Sequence, residues 1–169
     1  MKGRLADIKS RKEALVKEAY FNPVTNLPNK KNIQYVFDEQ IGRTLRHDKT
    51  FTVLAIKINN YEQVKKTSLE LANQFMYEAS NIIIQSTRDE DLSAHIEEDT
   101  FIILFNEYLE GDLYQIVIDR LKKNFYKNTP QDIKISYDVS MGVSIYPVDG
   151  TDSEILLEKA IKEAKSKQF

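Results

Sequence analysis

The chain has 169 residues, with 24 Lys and Arg against 26 Asp and Glu, and it contains no cysteine. This length fits one globular domain with a sizeable core, and the near-neutral charge gives no electrostatic argument for nucleic-acid binding. Without cysteine, disulfides and thiolate metal sites are excluded. No apolar run approaches the ~20 residues that span a bilayer, and the charged N-terminus has no signal-peptide pattern. We therefore expect a soluble cytoplasmic domain without direct membrane insertion.

Residues 1–20 have the pattern of a helix with a narrow apolar stripe. The stripe follows alternating steps of three and four residues, Leu5, Ile8, Lys12, Leu15 and Ala19. Such a heptad-like seam predicts a connecting or coiled-coil-like helix over 1–20 that leads into a single domain over 21–169. The alternative is a terminal helix packed on the domain.

A proline-containing segment ends this first helix. Pro23 and Pro28 cannot continue a helix, and Asn29 can cap a new one predicted over 30–46. Residues 51–58, FTVLAIKI, are apolar on both faces and predict a central strand. Lys57 interrupts this run, and a lysine in such a place needs a partner because an unpaired buried charge is costly.

A helix predicted over 69–87 leads to a hairpin over 93–105. Its tip is the tetrapeptide Glu97-Glu98-Asp99-Thr100. The favoured hairpin turns need positive φ and normally use Gly or Asn, so two glutamates are unexpected at this position. The tip is therefore the most informative feature of the sequence.

The remaining elements complete a recognisable order. A helix over 111–126, an alternating strand over 133–145 and a last helix capped by Asp152 or Ser153 follow the hairpin. The order β-α-β-β-α-β-α predicts the α+β class, an α/β sandwich with a ferredoxin-like βαββαβ core. In this arrangement helices lie on one face of an antiparallel sheet. The first strand pairs with the third, which places Lys57 beside Asp99.

Four segments in this order resemble the GGDEF domain of the diguanylate cyclase family, which has a nucleotidyl-cyclase-like fold. Residues 19–29 resemble the opening motif A-x-x-D-P-L-T-G-L-P-N, and residues 57–61 occupy the place of D-x-D-x-F. Residues 95–101, containing EEDTF, take the place of R-Y-G-G-D-E-F. Residues 139–144 and the helix containing Ala160, Ala164 and Lys165 resemble the closing strand and helix. No internal repeat is present.

The resemblance implies condensation of two GTP molecules into cyclic di-GMP with the help of a divalent metal. It places the two metal-binding carboxylates at Lys57 and Asp99, and a second acidic position implicated in catalysis at Thr100. A protonated lysine cannot coordinate Mg²⁺, and a threonine is a poor base. Glu97 and Glu98 replace glycines against which the nucleotide lies. We therefore expect no catalytic residues, no metal and no cofactor, with Mg²⁺ needed only if the enzyme alternative holds.

The resemblance also places other ligand contacts. Guanine-reading positions fall at Lys65 and, with one residue of slippage, Asn73, while Lys165 aligns with a phosphate-binding lysine. The family's product-inhibition motif R-x-x-D matches Arg88 and Asp91, which implies a cyclic di-GMP site. The alternative for this motif is a solvated acidic loop in which the arginine balances neighbouring carboxylates.

The two histidines, His47 and His95, are too far apart in sequence to suggest a metal pair. His95 is expected on the exposed face of the hairpin. The favoured hypothesis is a catalytically inactive GGDEF-type domain of a larger bacterial signalling protein. It would act as a regulatory or homodimerisation module, contact other domains of the same polypeptide, and bind cyclic di-GMP. The alternatives are a divergent cyclase or weak GTPase or ATPase using Asp99 and Lys165, and a purely structural domain.

Overall fold

A computed structural model describes residues 2–47, 50–105, 113–130 and 132–167. Within these ranges the elements in chain order are α1 Lys2–Tyr20, α2 Lys30–His47, β1 Phe51–Ile58, α3 Tyr61–Thr67, α4 Leu69–Ser86, β2 Leu92–Glu97, β3 Thr100–Phe105, α5 Leu113–Lys127, β4 Val139–Tyr146 and α6 Ser153–Ser166. The short helix α3 is not among the predicted elements, and the predicted helix start at 111 lies outside the described residues. None of the helices in these ranges is long and apolar enough to cross a membrane.

The four strands form one antiparallel sheet in the order β2-β3-β1-β4. This order confirms the α+β, ferredoxin-like fold. As predicted, β1 is a central strand, flanked by β3 and β4. Lys57 near the end of β1 lies opposite Thr100 at the start of β3. The register therefore brings the end of β1 to the tip of the β2–β3 hairpin.

Helices cover both faces of the sheet. On one face α3, α4 and α5 pack over β1, β3 and β4, and on the other α2 and α6 pack over the same sheet. The predicted one-sided arrangement is right for the two crossover helices of the core, α4 and α5, which lie on the same face. It is wrong for the whole fold, because α2 and α6 bury the second face. A Cβ on Gly142 of β4 would overlap the carbonyl oxygen of Ala160, so glycine permits the close approach of α6.

The last strand is shorter than predicted. The alternation over 133–145 predicts one strand, but β4 covers Val139–Tyr146. The amides of Ile133 and Lys134 both donate to the carbonyl oxygen of Pro130, and Lys134 has a φ of 57°. This turn prevents strand pairing, although Ile133 and Tyr137 still pack against the core beneath α4. The alternation here arises because one side of the segment is buried, although its backbone does not pair with another strand.

The hairpin avoids the strained turn that its sequence suggested. A bulge between His95 and Glu97 shifts the register, and Glu97 then pairs with Thr100. In the described part of the chain, the non-glycine residues with positive φ are Asn26 and Lys134, so Glu98 and Asp99 keep ordinary backbone angles. Glutamate is therefore tolerated at this tip without backbone strain.

Residues 21–29, called here the proline loop, join α1 to α2. Phe21 forms a bridge to Pro28, and the side-chain amide of Asn29 donates to the carbonyl oxygen of Ala19 at 2.8 Å. The Asn29 side chain also accepts from the amide of Asn32 at 3.1 Å, which confirms the predicted cap of α2. The last turn of α1 is thus fastened to the domain, while most of α1 is exposed.

Candidate ligand-binding sites at the hairpin

The predicted neighbours Lys57 and Asp99 form an ion pair. Their Nζ and Oδ2 atoms are 3.3 Å apart, and the side chains are 12% and 19% exposed. The amide of Ile58 donates to the carbonyl oxygen of Asp99 at 2.8 Å, which holds the tip against the end of β1. The partner predicted for Lys57 is therefore present.

Two further lysines pair with the remaining carboxylates of the tip. Lys65 of α3 lies 3.0 Å from Glu98, and Lys165 of α6 lies 3.9 Å from Glu97. Three consecutive acidic residues thus face three lysines, each from a different element. The resemblance placed Lys65 and Lys165 at ligand-contacting positions, but their pairing with the tip was not predicted. The sequence does contain a signal for this pairing: two glutamates replace the glycines of the tip, and lysines occupy positions 65 and 165.

The electrostatics of α3 follow from the same contacts. The hydrogen bond to Glu98 raises the pKa of Lys65, so this lysine keeps its positive charge at neutral pH. Burial, followed by the charge of Glu98, raises the pKa of Tyr61, and the Lys65 ammonium lies 5.9 Å from the centre of the Tyr61 ring. The carboxylates of the tip are therefore matched by lysines in three separate ion pairs, of which Lys57–Asp99 is the most shielded from solvent.

The residues at the tip do not fit the divalent metal of the family reaction. One carboxylate oxygen of Asp99 faces Lys57, and the other accepts a hydrogen bond from the Thr100 hydroxyl at 2.9 Å. Magnesium requires several oxygen ligands, whereas the second expected ligand here is an ammonium group. Among the described residues, no group of three or more His, Asp or Glu side chains could hold a metal.

Asn59, a further position of the resemblance, makes structural contacts. Asn59 donates to Asp138 at 3.1 Å and accepts from the Ser140 hydroxyl at 3.1 Å. These bonds tie the end of β1 to the segment before β4. Asn73, the second guanine-reading position, lies half-buried in α4.

Arg88 and Asp91 lie in the turn between α4 and β2. The Asp91 carboxylate accepts from the amide of Arg88 at 3.0 Å, and the amide of Asp91 donates to the carbonyl oxygen of Arg88 at 3.1 Å. The Arg88 side chain is 67% exposed, with Glu90 at 3.9 Å. A second guanidinium, that of Arg120, donates to the carbonyl oxygen of Ser86 at 2.9 Å. Two arginines therefore lie at this end of α4.

The structure does not bring the two predicted sites together. The turn and the tip lie at opposite ends of β2, which has six residues. At ~3.3 Å per residue, they are about 15–20 Å apart. They are two separate candidate sites on one strand.

The prediction for His95 is wrong. Its side chain is 1% exposed instead of lying on the open face of the hairpin. The ring stacks on Phe101 at 4.6 Å between centroids, and its nitrogens contact Thr25 and the backbone of Glu98. The proline loop covers this edge of the sheet, and contacts between segments so distant in sequence leave no local pattern.

The sequence pattern of the family described as diguanylate cyclase, GGDEF domain, matches residues 19–168. The chain is 24% identical over 148 residues to the bifunctional diguanylate cyclase/cyclic di-GMP phosphodiesterase MucR of Pseudomonas aeruginosa, covering 85% of this chain and 21% of that protein. It is 25% identical over 148 residues to the signaling protein YkoW of Bacillus subtilis, covering 84% and 18%. It thus spans about a fifth of the length of these relatives.

A solved structure has the same fold. The coiled coil and GGDEF domain of DgcB from Caulobacter crescentus, in complex with c-di-GMP, matches with a TM-score of 0.80 at 13% identity. The match covers 98% of this chain and 88% of that chain. Since the family pattern covers nearly the whole chain and the fold agrees with it, the chain belongs to the GGDEF, or diguanylate cyclase, family.

Proposed function

We propose that this chain is a catalytically inactive GGDEF-type signalling domain of a larger bacterial protein. It acts as a regulatory and dimerisation module and as a receptor for cyclic di-GMP through Arg88 and Asp91. The observation that carries the loss of activity is the Lys57–Asp99 ion pair, which puts an ammonium group where the family reaction uses a metal. No cofactor is proposed for this function.

The chemistry of the tip supports inactivity in two further ways. The Thr100 side chain is buried and donates to Asp99, so its hydroxyl is committed as a donor and is a poor base. Glu97 and Glu98 add negative charge where a triphosphate would lie, and each already pairs with a lysine. A nucleotide would have to break these pairs and approach the carboxylates.

The turn supports a receptor function because its arginine faces solvent. A guanidinium can bind phosphate or the edge of guanine with paired hydrogen bonds. In the turn, one oxygen of Asp91 fixes the backbone, and Arg88 projects from the same turn with 67% of its side chain exposed. The DgcB structure, which has the same fold, contains c-di-GMP.

The exposed helix α1 supports the regulatory and dimerisation function. Leu5, Ile8 and Leu15 are all exposed along one stripe. Exposed apolar residues at heptad spacing favour pairing with a second helix, so we propose a homodimer through α1. Since the chain spans about a fifth of its curated relatives, α1 would also connect to further domains of the same polypeptide.

Titration calorimetry with cyclic di-GMP tests the receptor function. The wild type should bind, and Arg88→Ala should lose at least about tenfold in affinity, as expected for one charge-assisted contact. Arg43→Ala removes another exposed arginine, on α2, and should bind like the wild type. Absence of heat with the wild type, or equal binding by Arg88→Ala, would contradict the proposal.

Incubation with GTP or ATP and Mg²⁺ or Mn²⁺, followed by chromatography of the products, tests inactivity. We expect no cyclic di-GMP and no hydrolysis above the buffer control. Turnover that Asp99→Ala abolishes would establish the enzyme alternative, in which Asp99 and Lys165 serve a divergent cyclase or a weak nucleotidase.

A further inference from the structure

The serine that ends α4 is held by helix α5. Ser86 is 6% exposed, and its hydroxyl accepts a hydrogen bond from the side-chain amide of Asn124 at 2.7 Å. The same hydroxyl donates to the carbonyl oxygen of Ile82 at 2.6 Å. The carbonyl oxygen of Ser86 accepts from the guanidinium of Arg120 at 2.9 Å. Helix α5 therefore contacts both the side chain and the backbone of this residue.

The two bonds of the Ser86 hydroxyl have different roles. The carbonyl oxygen of Ile82 can only accept, so the single hydroxyl proton must point toward it. The group of Asn124 that contacts the hydroxyl must then be its NH₂, which is a donor. The bond to Ile82 lies within α4 and leaves the position of this helix open. The bond from Asn124 joins two helices and thereby fixes the end of α4 relative to α5.

The end of α4 leads directly into the turn that contains Arg88. Thr87 has an extended backbone, with φ −117° and ψ 165°, so the helix stops at Ser86 and Arg88 follows two residues later. Beyond the turn, Leu92 pairs with Leu104 in the sheet. The hydrogen bonds within the turn set its shape but not its position on the domain. That position depends on the sheet at one end and on the contact with α5 at the other.

We propose that Asn124 is a positioning residue for the cyclic di-GMP site. Through the Ser86 hydroxyl it fixes the end of α4, and with it the place from which the Arg88 side chain projects. Asn124 acts through Ser86 and not through the ligand. This inference rests on the proposed receptor function and adds to it the group that prepares the site for binding.

The size of the effect follows from the strength of one hydrogen bond. A turn that adopts its binding position for only part of the time binds with an affinity reduced by that fraction. One hydrogen bond between neutral groups changes such an equilibrium by about fivefold. Because the Arg120 bond to the backbone remains, loss of the Asn124 bond should weaken cyclic di-GMP binding about three- to fivefold. This loss is smaller than that expected for Arg88→Ala.

Titration calorimetry with cyclic di-GMP on the whole chain tests the positioning role. Asn124→Ala and Ser86→Ala should each weaken binding about three- to fivefold. The double variant should bind no more weakly than the weaker single variant, because all three lack the same hydrogen bond. Ser86→Thr keeps the hydroxyl, and a helical threonine also bonds the carbonyl four residues before it, so this variant should bind like the wild type.

Two control variants separate placement of the turn from a general loss of stability. The Ser80 hydroxyl is buried and donates to the carbonyl oxygen of Tyr77 at 2.6 Å within α4. The Asn128 amide donates to the carbonyl oxygen of Asn124 at 2.7 Å at the end of α5. Neither bond joins the two helices, so Ser80→Ala and Asn128→Ala should bind like the wild type. A loss of affinity in either control equal to that of Asn124→Ala would overturn the proposal.

Nuclear magnetic resonance of the ligand-free chain separates this proposal from the receptor function. The backbone amide signals of residues 87–91 should shift in Asn124→Ala and stay in place in Asn128→Ala. If the wild type gives no heat with cyclic di-GMP, the receptor function is contradicted, and these signals alone decide whether Asn124 places the turn. Unchanged signals, or undiminished binding by Asn124→Ala where Arg88→Ala binds weakly, would overturn the proposal. Ser86→Ala supplies the same test if Asn124→Ala fails to fold.

Discussion

The two ends of β2 carry charged groups arranged in opposite ways. At the tip, three carboxylates pair with three lysines, and the Lys57–Asp99 pair is largely shielded from solvent. At the turn, Asp91 fixes the backbone while the guanidinium of Arg88 is mostly exposed. At the tip the charged side chains therefore stabilise the fold by pairing with one another, whereas at the turn the charged side chain of Arg88 faces solvent.

Under the proposed function, the tip is a ligand site that has become a structural one. At the tip, Lys57, Lys65 and Lys165, which the resemblance assigns to metal, guanine and phosphate contacts, each have their charge neutralised by a neighbouring carboxylate. A pair shielded from water is costly to break from one side, because removal of one partner leaves an uncompensated charge. The tip should therefore respond to mutation through stability, and the turn through ligand binding.

Asp99→Ala should produce the largest loss of stability. It leaves Lys57, 12% exposed, without its carboxylate and removes the acceptor of the Thr100 hydroxyl. Because the pair keeps some contact with water, we expect a loss of about 2–3 kcal/mol, below the figure for a fully buried pair. Denaturant unfolding measures it. Asp89→Ala, in the exposed turn, is the matched control and should change stability by less than about 0.5 kcal/mol.

Lys57→Asp should restore a response to metal. The variant would place one carboxylate at the end of β1 opposite that of Asp99 in the tip, so it should be less stable than the wild type without metal. Mg²⁺ or Mn²⁺ at ten times its dissociation constant would return about 1.4 kcal/mol, or about 3–5 °C in Tm. Lys57→Asn removes the same lysine without adding a carboxylate and should show no metal response. A metal response in the wild type would contradict the interpretation of the tip.

Much of the tip follows from the sequence because it depends on topology. The order of strands and helices determines that β1 pairs with β3, and this pairing alone brings Lys57 to Asp99. The family resemblance placed Lys65 and Lys165 near the same ligand. Their pairing with Glu98 and Glu97 required the distances between three separate elements, which neither periodicity nor a motif supplies.

Two of the failed predictions share one physical cause. His95 lies on an edge strand, and the proline loop, placed there by long-range contacts, covers it. The alternation over 133–138 arises from burial against the core without strand pairing, because Lys134 turns the chain. In both places the local pattern lacks long-range information: it does not show which backbone covers a side chain or whether a segment pairs with another strand.

Glu98→Gln should have a small effect. The Lys65–Glu98 pair is exposed, and water and salt screen such pairs, so we expect a loss of about 0.5 kcal/mol that disappears at high salt. Unfolding in low and high sodium chloride measures the difference. A loss as large as that of Asp99→Ala would mean that the three pairs act as one network, which would break the distinction between the shielded pair and its exposed neighbours.

Arg88→Ala should have the smallest effect on stability while having a large effect on binding. The Arg88 side chain is mostly exposed and its contact with Glu90 is long, so the free energy of unfolding should change by less than about 0.5 kcal/mol. The Asp91 carboxylate accepts from the backbone amide of Arg88, which alanine keeps, so the turn should persist. Unfolding and calorimetry on the same preparation give both quantities. A marked loss of stability would mean that Arg88 stabilises the fold. The charged groups at the two ends of β2 would then differ only in their exposure to water.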